Sequence, residues 1–360
     1  MTVPARRLFF GLETLSLDQG GIGRVAHLMV RVAADLAAAG ELTIDGMVLR
    51  DCNPSSSYPG RFRSAGGSKL RFLAAVNGAA VGHTHFVYDF LGMARAHGWL
   101  PFPRRPYLSY IHGIEVWPSS GTHASRLAAA RRAAVLVSNS YHTRQRASDL
   151  DPTFARAKVC WLATEEDDPP PIGQGTNGPP RALILGRMDE GYKGHRELIA
   201  CWPQVTAVVP DAVLTIVGRG PRAEEYQKLV AASAVANRIE LKGFVPEADM
   251  TTLWNQTSVF TMPSRGEGFG LVYVEAMRHG IPVIASVHDA GQEVNLDQQT
   301  GYNVNLDRPQ ELPDRLIHLL RNPDHAASLG ANGQKRWADH FRYSAFRDRF
   351  RPLLGEFLEL

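Results

Sequence analysis

The chain has 360 residues, with 39 Lys and Arg against 36 Asp and Glu and a formal net charge of +3. Hydrophobic residues make up 44% and charged residues 21%, ordinary globular usage that excludes a disordered chain and fits two domains of comparable size. So small a net charge gives no case for a nucleic-acid partner, and three dispersed cysteines (Cys52, Cys160, Cys201) exclude a disulfide framework or a paired-cysteine zinc site and read as buried thiols of a reducing cytosol.

In chain order, residues 1–10 carry Arg6 and Arg7 beside an apolar run too short for a signal peptide. Residues 7–10 predict a strand. A loop ends at Gly20-Gly21-Ile22-Gly23, and the Ala-rich residues 25–39 predict a helix stopped by Gly40. Residues 42–49, 81–90 and 106–112 predict strands, 124–133 and 141–150 helices, and 135–137 a short buried strand between them. Alternating strands and helices point to a doubly wound parallel sheet.

Residues 164–180 are acidic, then rich in Pro, Gly and Asn, and read as an interdomain linker. The alternation then restarts with strands at 182–185 and 213–217 and helices at 196–204 and 224–235. Short runs follow at 239–241, 250–254 and 258–262. A loop at 263–268 leads to a helix over 271–278 and a strand over 282–286. From Leu312 the pattern is helical, with breaks expected at Pro323 and near Asn332. The longest apolar stretch, 198–217, is interrupted by Pro203, Gln204, Pro210 and Asp211 and cannot span a bilayer. The organisation expected is an N-terminal domain over 1–163, a linker over 164–180, a C-terminal domain over 181–340 and a final helix over 341–360 packing back on the first domain.

Two constellations carry chemistry. The first runs from Ser264 through Arg265, Gly266, Glu267, Gly268, Phe269, Gly270 and Leu271 to Glu275. A strand end, a glycine-rich turn and a helix start present unpaired backbone N–H groups with partial positive charge, which suits a diphosphate. Alone it reads equally well as a glycine-rich connector. The second is Gly186-Arg187 followed by Tyr192-Lys193-Gly194-His195. It places two cations at a strand's carboxyl end, where an Arg grips phosphate oxygens bidentately and a Lys acts as a point charge.

The spacing of Glu267 and Glu275, with seven residues between, resembles the signature of family 4 glycosyltransferases, retaining enzymes of GT-B fold. Gly186-Arg187 through Lys193-Gly194, residues 216–221, residues 241–246, Gly20-Gly21-Ile22-Gly23 and His112-Gly113 are similar to further motifs of that family in the same order. The resemblance implies two Rossmann-like domains facing across a cleft, the first binding the acceptor and the second the sugar-nucleotide donor. It implies that Arg187, Lys193 and the N–H groups of Phe269, Gly270 and Leu271 hold the donor diphosphate, with Gly186, Gly218 and Gly268 also among the donor-binding residues. It further implies Glu275 on the ribose hydroxyls, Glu267 on a hydroxyl of the transferred sugar, and Gly243, Phe244 and Val245 at the nucleobase. Gly21 and Gly23 would close over the diphosphate, and His112 would sit near the reacting sugar or the acceptor. His112, Glu267, Arg187 and Lys193 are thus the expected catalytic set. The family usually shows a Gly-Val-Asp-like turn where this chain has Thr164-Glu165-Glu166, which bears on the hinge.

The expected function is transfer of a hexose from a nucleoside-diphosphate sugar, a UDP-sugar slightly ahead of GDP-mannose, to a saccharide or lipid-linked saccharide in cell-surface polysaccharide synthesis. No metal or other cofactor is expected, because two cations and a helix N-terminus can meet the charge that grows on the leaving phosphate. The expected location is the cytoplasm, with the inner face of the plasma membrane allowed for. Residues 61–73 mix cations with aromatic and leucine residues. They read first as a solvated helix with a core stripe and second as a patch for anionic lipid. His83 and His85 are expected on one face of a strand, as a structural or acceptor-lining pair rather than a zinc site. The segment from His112 to Trp117 reads as acceptor-lining or as packing. Competing readings are a nicotinamide-dependent oxidoreductase, from the fingerprint Gly21-x-Gly23-x-x-Ala26 with Asp51 on a ribose, a sugar-nucleotide epimerase of the same architecture, and a non-catalytic nucleotide-sugar binder.

Overall fold

The structure, a computed structural model, describes residues 6–16, 20–51, 58–113, 124–170, 178–189 and 191–360. Cys52, residues 114–117 and linker residues 171–177 lie outside them. The chain divides into two compact units, one made of Met1–Glu165 with Tyr343–Leu360, the other of Glu166–Arg342.

The first unit runs β1 (Arg6–Leu12), α1 (Gly21–Ala38), β2 (Leu42–Val48), β3 (Arg61–Ser64), α2 (Lys69–Ala79), β4 (His85–Tyr88), α3 (Leu91–Ala94), β5 (Tyr107–Ile111), α4 (Ala124–Arg132), β6 (Val135–Ser138), α5 (Tyr141–Leu150) and β7 (Lys158–Val159). Its seven strands lie in the order β3-β2-β1-β4-β5-β6-β7, all parallel. Strands β4 and β5 are buried throughout, as a sheet covered on both faces requires. Phe9, Phe72, Phe86, Tyr88, Tyr107 and Phe154 fill one side of the core.

The second unit runs β8 (Arg181–Leu185), α6 (His195–Val208), β9 (Val213–Val217), α7 (Ala223–Ala231), β10 (Ile239–Gly243), α8 (Glu247–Asn255), β11 (Val259–Thr261), α9 (Leu271–Arg278), β12 (Val283–Ser286), α10 (Gly291–Val294), β13 (Gly301–Val304), α11 (Glu311–Arg321) and α12 (Pro323–His340). Its strand order is β10-β9-β8-β11-β12-β13, again all parallel. In each sheet the first strand sits between the second and the fourth, so the order reverses direction between β1 and β4 and between β8 and β11. The last helix, α13 (Tyr343–Leu358), belongs to the first unit, where Phe350 meets Tyr110 and the Tyr343 hydroxyl donates to Asp35 at 2.7 Å.

Several sequence expectations need correction. Residues 61–73 are not one helix: Arg61–Ser64 is an edge strand and α2 starts at Lys69, capped by the Ser68 hydroxyl. The expected strand over 81–90 shrinks to β4, because Val81, Gly82 and His83 donate their N–H groups back to Gly78 and Ala79 and finish the turn after α2. His83 and His85 therefore do not share a strand face. His83 bonds the Ala79 carbonyl and Asp45, each at 3.0 Å, whereas His85 bonds Thr84 and meets the Phe357 ring. Pro323 does mark a helix start, but α12 continues unbroken past Asn332. A Cβ on Gly330 would lie 1.9 Å from the Gly280 carbonyl oxygen, so its small size serves close packing beside α9 rather than a break. The beginning of the acidic linker is held rather than free: Arg278 pairs with Glu166 at 3.3 Å and donates to the Asp168 carbonyl at 3.2 Å. Cys160 and Cys201 are buried thiols, and burial pushes the Cys201 thiol up to about 12.

Candidate functional site

Ligands of open parallel sheets bind beyond the carboxyl ends of the strands, where the strand order reverses. In the second unit that point lies between β8 and β11. The chain leaves β8 at Gly186, and the following loop returns at Lys193 to start α6, with Gly194 as N-cap at φ +89°. It leaves β11 toward the loop of Ser264 to Gly270 and starts α9 at Leu271, with Gly270 as N-cap at φ +88°. That left-handed conformation is strained for any residue with a Cβ, which explains a glycine just before α9. Neither cap has a side chain bonding the helix N-terminus, so the first N–H groups of both helices are left to other acceptors.

The two loops meet. Lys193 forms an ion pair with Glu267, both largely shielded from solvent. The Lys193 stem lies over Gly186, Tyr192 packs on Gly266, and the Arg265 N–H donates to the Tyr192 carbonyl at 2.8 Å. Neighbouring strand ends join them. Gly186 donates to Val217 at 3.0 Å, Gly218 to the Gly243 carbonyl at 2.8 Å, and Met188 to the Arg219 carbonyl at 3.0 Å. Gly186, Lys193, Gly218, Gly243, Glu267, Gly268, Phe269, Gly270, Leu271 and Glu275 thus lie at strand ends, on loops or in the first two turns of a helix at one edge of one sheet.

Two predicted residues behave differently from the rest. The Arg187 guanidinium is exposed and pairs with Asp189 at 2.6 Å, away from the Lys193–Glu267 pair. Phe244 is exposed, with Arg219 stacked 4.7 Å from its ring centre and Val245 beside it. Glu275 is half-buried in the second turn of α9.

Sequence reasoning missed Asp289. It follows β12 in a turn with no obvious signature, yet it is wholly buried and holds the Glu267 loop. Its Oδ2 accepts the Glu267 N–H at 2.8 Å and its Oδ1 accepts the Gly291 N–H at 2.9 Å. The Ala290 N–H donates to the Glu267 carbonyl at 3.1 Å, and the Ser286 hydroxyl donates to the Ser264 carbonyl. Burial first, and the Glu267 carboxylate as a further cause, push the Asp289 carboxyl up to about 7.

In the first unit Gly21 and Gly23 form the first turn of α1, Gly21 exposed and Gly23 buried against the Ser16 carbonyl. His112 follows β5. Its ring stacks on Tyr110, and its Nε2 bonds the Asp89 carbonyl at 2.7 Å. Asp51, the residue an oxidoreductase reading needs for a ribose, is spent inside the fold: it accepts the Thr14 hydroxyl at 2.5 Å and the Leu15 N–H at 2.6 Å. A pocket of about 540 Å³ in this unit opens among Arg6, Leu42 and Arg351, at the amino ends of β1 and β2, which is the wrong edge for such a ligand. Among the described residues no helix is long and apolar enough to cross a membrane.

Residues 179–322 match the family model described as glycosyl transferases group 1. The second unit is a group 1 glycosyltransferase domain. The chain is 36% identical over 159 residues to the phosphatidyl-myo-inositol mannosyltransferase of Mycobacterium leprae, a match covering 43% of this chain and 42% of that one. It is 32% identical over 184 residues to a GDP-mannose-dependent alpha-(1-6)-phosphatidylinositol monomannoside mannosyltransferase of Mycolicibacterium smegmatis, covering 49% and 48%. The matches thus span less than half the length of these curated relatives. Among solved structures, Anabaena Alr3699/HepE in complex with UDP and glucose aligns with a TM-score of 0.79 at 17% identity, over 98% of this chain and 99% of that one. The sucrose-phosphate synthase of Thermosynechococcus elongatus aligns with a TM-score of 0.78 at 20% identity, over 98% of each. At such identities the likeness is one of fold, and the fold is GT-B.

Proposed function

We propose that this glycosyltransferase moves a mannosyl group from GDP-mannose, with retention of configuration, to a lipid-linked or saccharide acceptor. The observation that carries the reading is the meeting of Lys193 and Glu267 beside two helix starts without a side-chain cap at the switch point of the second unit. An incoming diphosphate takes the Lys193 ammonium and the N–H groups of Phe269 to Leu271, and it competes with Asp189 for the Arg187 guanidinium. Freed from its lysine, Glu267 accepts a hydroxyl of the sugar. As the glycosidic bond to phosphate breaks, negative charge collects on the oxygens that these groups then hold. A preorganised donor, such as a helix N–H here, is worth about 3–4 kcal/mol in the transition state. These cations stand in for a divalent ion, and front-face attack with the leaving phosphate taking the acceptor proton needs no protein nucleophile. His112 serves the acceptor side.

The sequence alone favoured a UDP-sugar over GDP-mannose. The reversal rests on the relatives at 32–36% identity, two of whose names carry mannose, whereas the UDP complexes resemble this chain only in fold. The same names support a membrane-lipid acceptor, and exposed Leu70 flanked by Lys69 and Arg71 on α2 supports contact with an anionic surface. The test is a thermal-shift panel of GDP, UDP, ADP and NADH followed by sugar transfer from the matching donor in EDTA. A ligand present at about 100 times its Kd adds roughly 2.7 kcal/mol of stability. Stabilisation by GDP and transfer that persists in chelator are expected. A response to NADH alone overturns the reading, a response to UDP alone changes the donor, tight nucleotide binding without transfer makes the chain a binder, and loss of transfer in EDTA removes the metal-free mechanism.

A further inference from the structure

We infer that Asp289 is a positioning residue for sugar recognition: its buried carboxylate sets the backbone of Glu267 so that the Glu267 side chain meets Lys193, and later the sugar, at the carboxyl edge of the sheet. The inference rests on the donor reading above and adds a residue to it.

The geometry singles out this one carboxylate. Asp289 lies 22 residues after Glu267, on the turn between β12 and α10, and each of its oxygens takes one backbone N–H. The N–H and the carbonyl of Glu267 are both tied to this turn, the first to Asp289 and the second to Ala290. A glutamate clamped on both sides of its Cα has little freedom in where its side chain begins. The ionisable groups facing Asp289 are Glu267 from the loop and the Tyr273 phenol from α9. The phenol stays neutral, donating to the Met262 carbonyl at 2.7 Å, and burial pushes its pKa well up. Ser264 also bonds the carboxyl, and His288 turns its Nε2 to the Leu306 N–H at 3.0 Å. No cation of the described residues is paired with Asp289. When it is ionised, its buried charge is met by the two N–H groups it accepts.

This arrangement has a direction in pH. Ionised, Asp289 accepts both N–H groups. Protonated, one oxygen carries a hydrogen and loses one of them. With its carboxyl pushed up to about 7, the clamp loosens as pH falls through neutrality.

The experiment compares GDP with GDP-mannose, and UDP with UDP-glucose, by calorimetric Kd on the full chain. Glu267 serves the sugar and not the base or ribose, so the readout is the ratio of the two affinities. For Asp289→Asn that ratio is expected to fall by about tenfold, the size of one charge-assisted contact, while the nucleoside diphosphate binds as in wild type. In wild type the ratio rises between pH 6 and pH 8, and in the variant it stays flat. Equal loss of both ligands, or an unchanged ratio, overturns the inference, as does a pH slope that survives in Asp289→Asn. Should that variant not fold, the wild-type slope decides, and a flat wild-type ratio counts against the inference. If wild type binds neither nucleotide, the donor reading fails instead, and the two failures are told apart.

Discussion

The two units share a strand order and differ in what they place where that order reverses. In the second unit the point between β8 and β11 holds a lysine, a glutamate, two glycine-capped helix starts and the clamp from Asp289. In the first, the point between β1 and β4 holds Glu13, whose N–H donates to the buried Asp89 at 2.7 Å, and nearby Asp51 is committed to Thr14 and Leu15. Topology supplies a place for a ligand, and loop chemistry decides whether an anion is welcome there. The same fold places a paired lysine and glutamate beside glycine-capped helix starts at one such point, and at the other a buried aspartate whose Oδ1 has no hydrogen-bond partner among the described residues.

Substitutions that break this contrast differ in size and kind. The largest loss is expected from Lys193→Ala, which removes the ammonium paired with Glu267: turnover should fall by 100-fold or more, about 3 kcal/mol or above, in a protein that still folds. Wild-type turnover in that protein would sink the assignment. In the first unit, Asp51→Ala should do the opposite, lowering stability by roughly 2–3 kcal/mol through two orphaned buried donors while the diphosphate still binds the second unit. Urea unfolding with a binding assay on the same samples separates the two effects.

Glu275→Gln keeps the shape but weakens an acceptor of ribose hydroxyls, so nucleotide affinity should drop by about tenfold for GDP and GDP-mannose alike. A loss confined to the sugar nucleotide would mean that Glu275 and Glu267 have exchanged roles. The last effect concerns stability against pH. A buried carboxyl raised to about 7 adds stability that is whole below about pH 4 and is lost as pH climbs through 7. Asp289→Asn removes that decline, so the difference in unfolding free energy between variant and wild type should move in the variant's favour from pH 5 to pH 8. A difference that stays constant across this range would show that Asp289 titrates normally.

Much of this was legible in the sequence because the signals were local. A helix at 271–278 and a strand at 213–217 follow from apolar runs bounded by glycine and polar residues, and the structure puts them at those residues. Lys193, Glu267 and Glu275 were found by type and spacing around strand ends. What escaped depends on contacts distant in sequence. Asp289 looks like any turn aspartate until the fold brings it to Glu267. Strand β13 was missed because Gly301 and Asn303 interrupt its apolar pattern, although it pairs with β12 along its whole length. Glycines in α12 resembled a break because close packing against a neighbour leaves no trace in a helical propensity.

Helix α13 carries a consequence for biosynthesis. Its Phe346, Phe350, Leu354 and Phe357 complete the interior of a unit whose other residues end at Glu165. During translation the second unit has all its residues before the first, whose core stays open on one face until residues 343–360 are made. A chain cut after Arg342 would therefore hold every residue of the second unit beside a first unit with an open core, so removing residues 343–360 should harm the half of the protein made earliest.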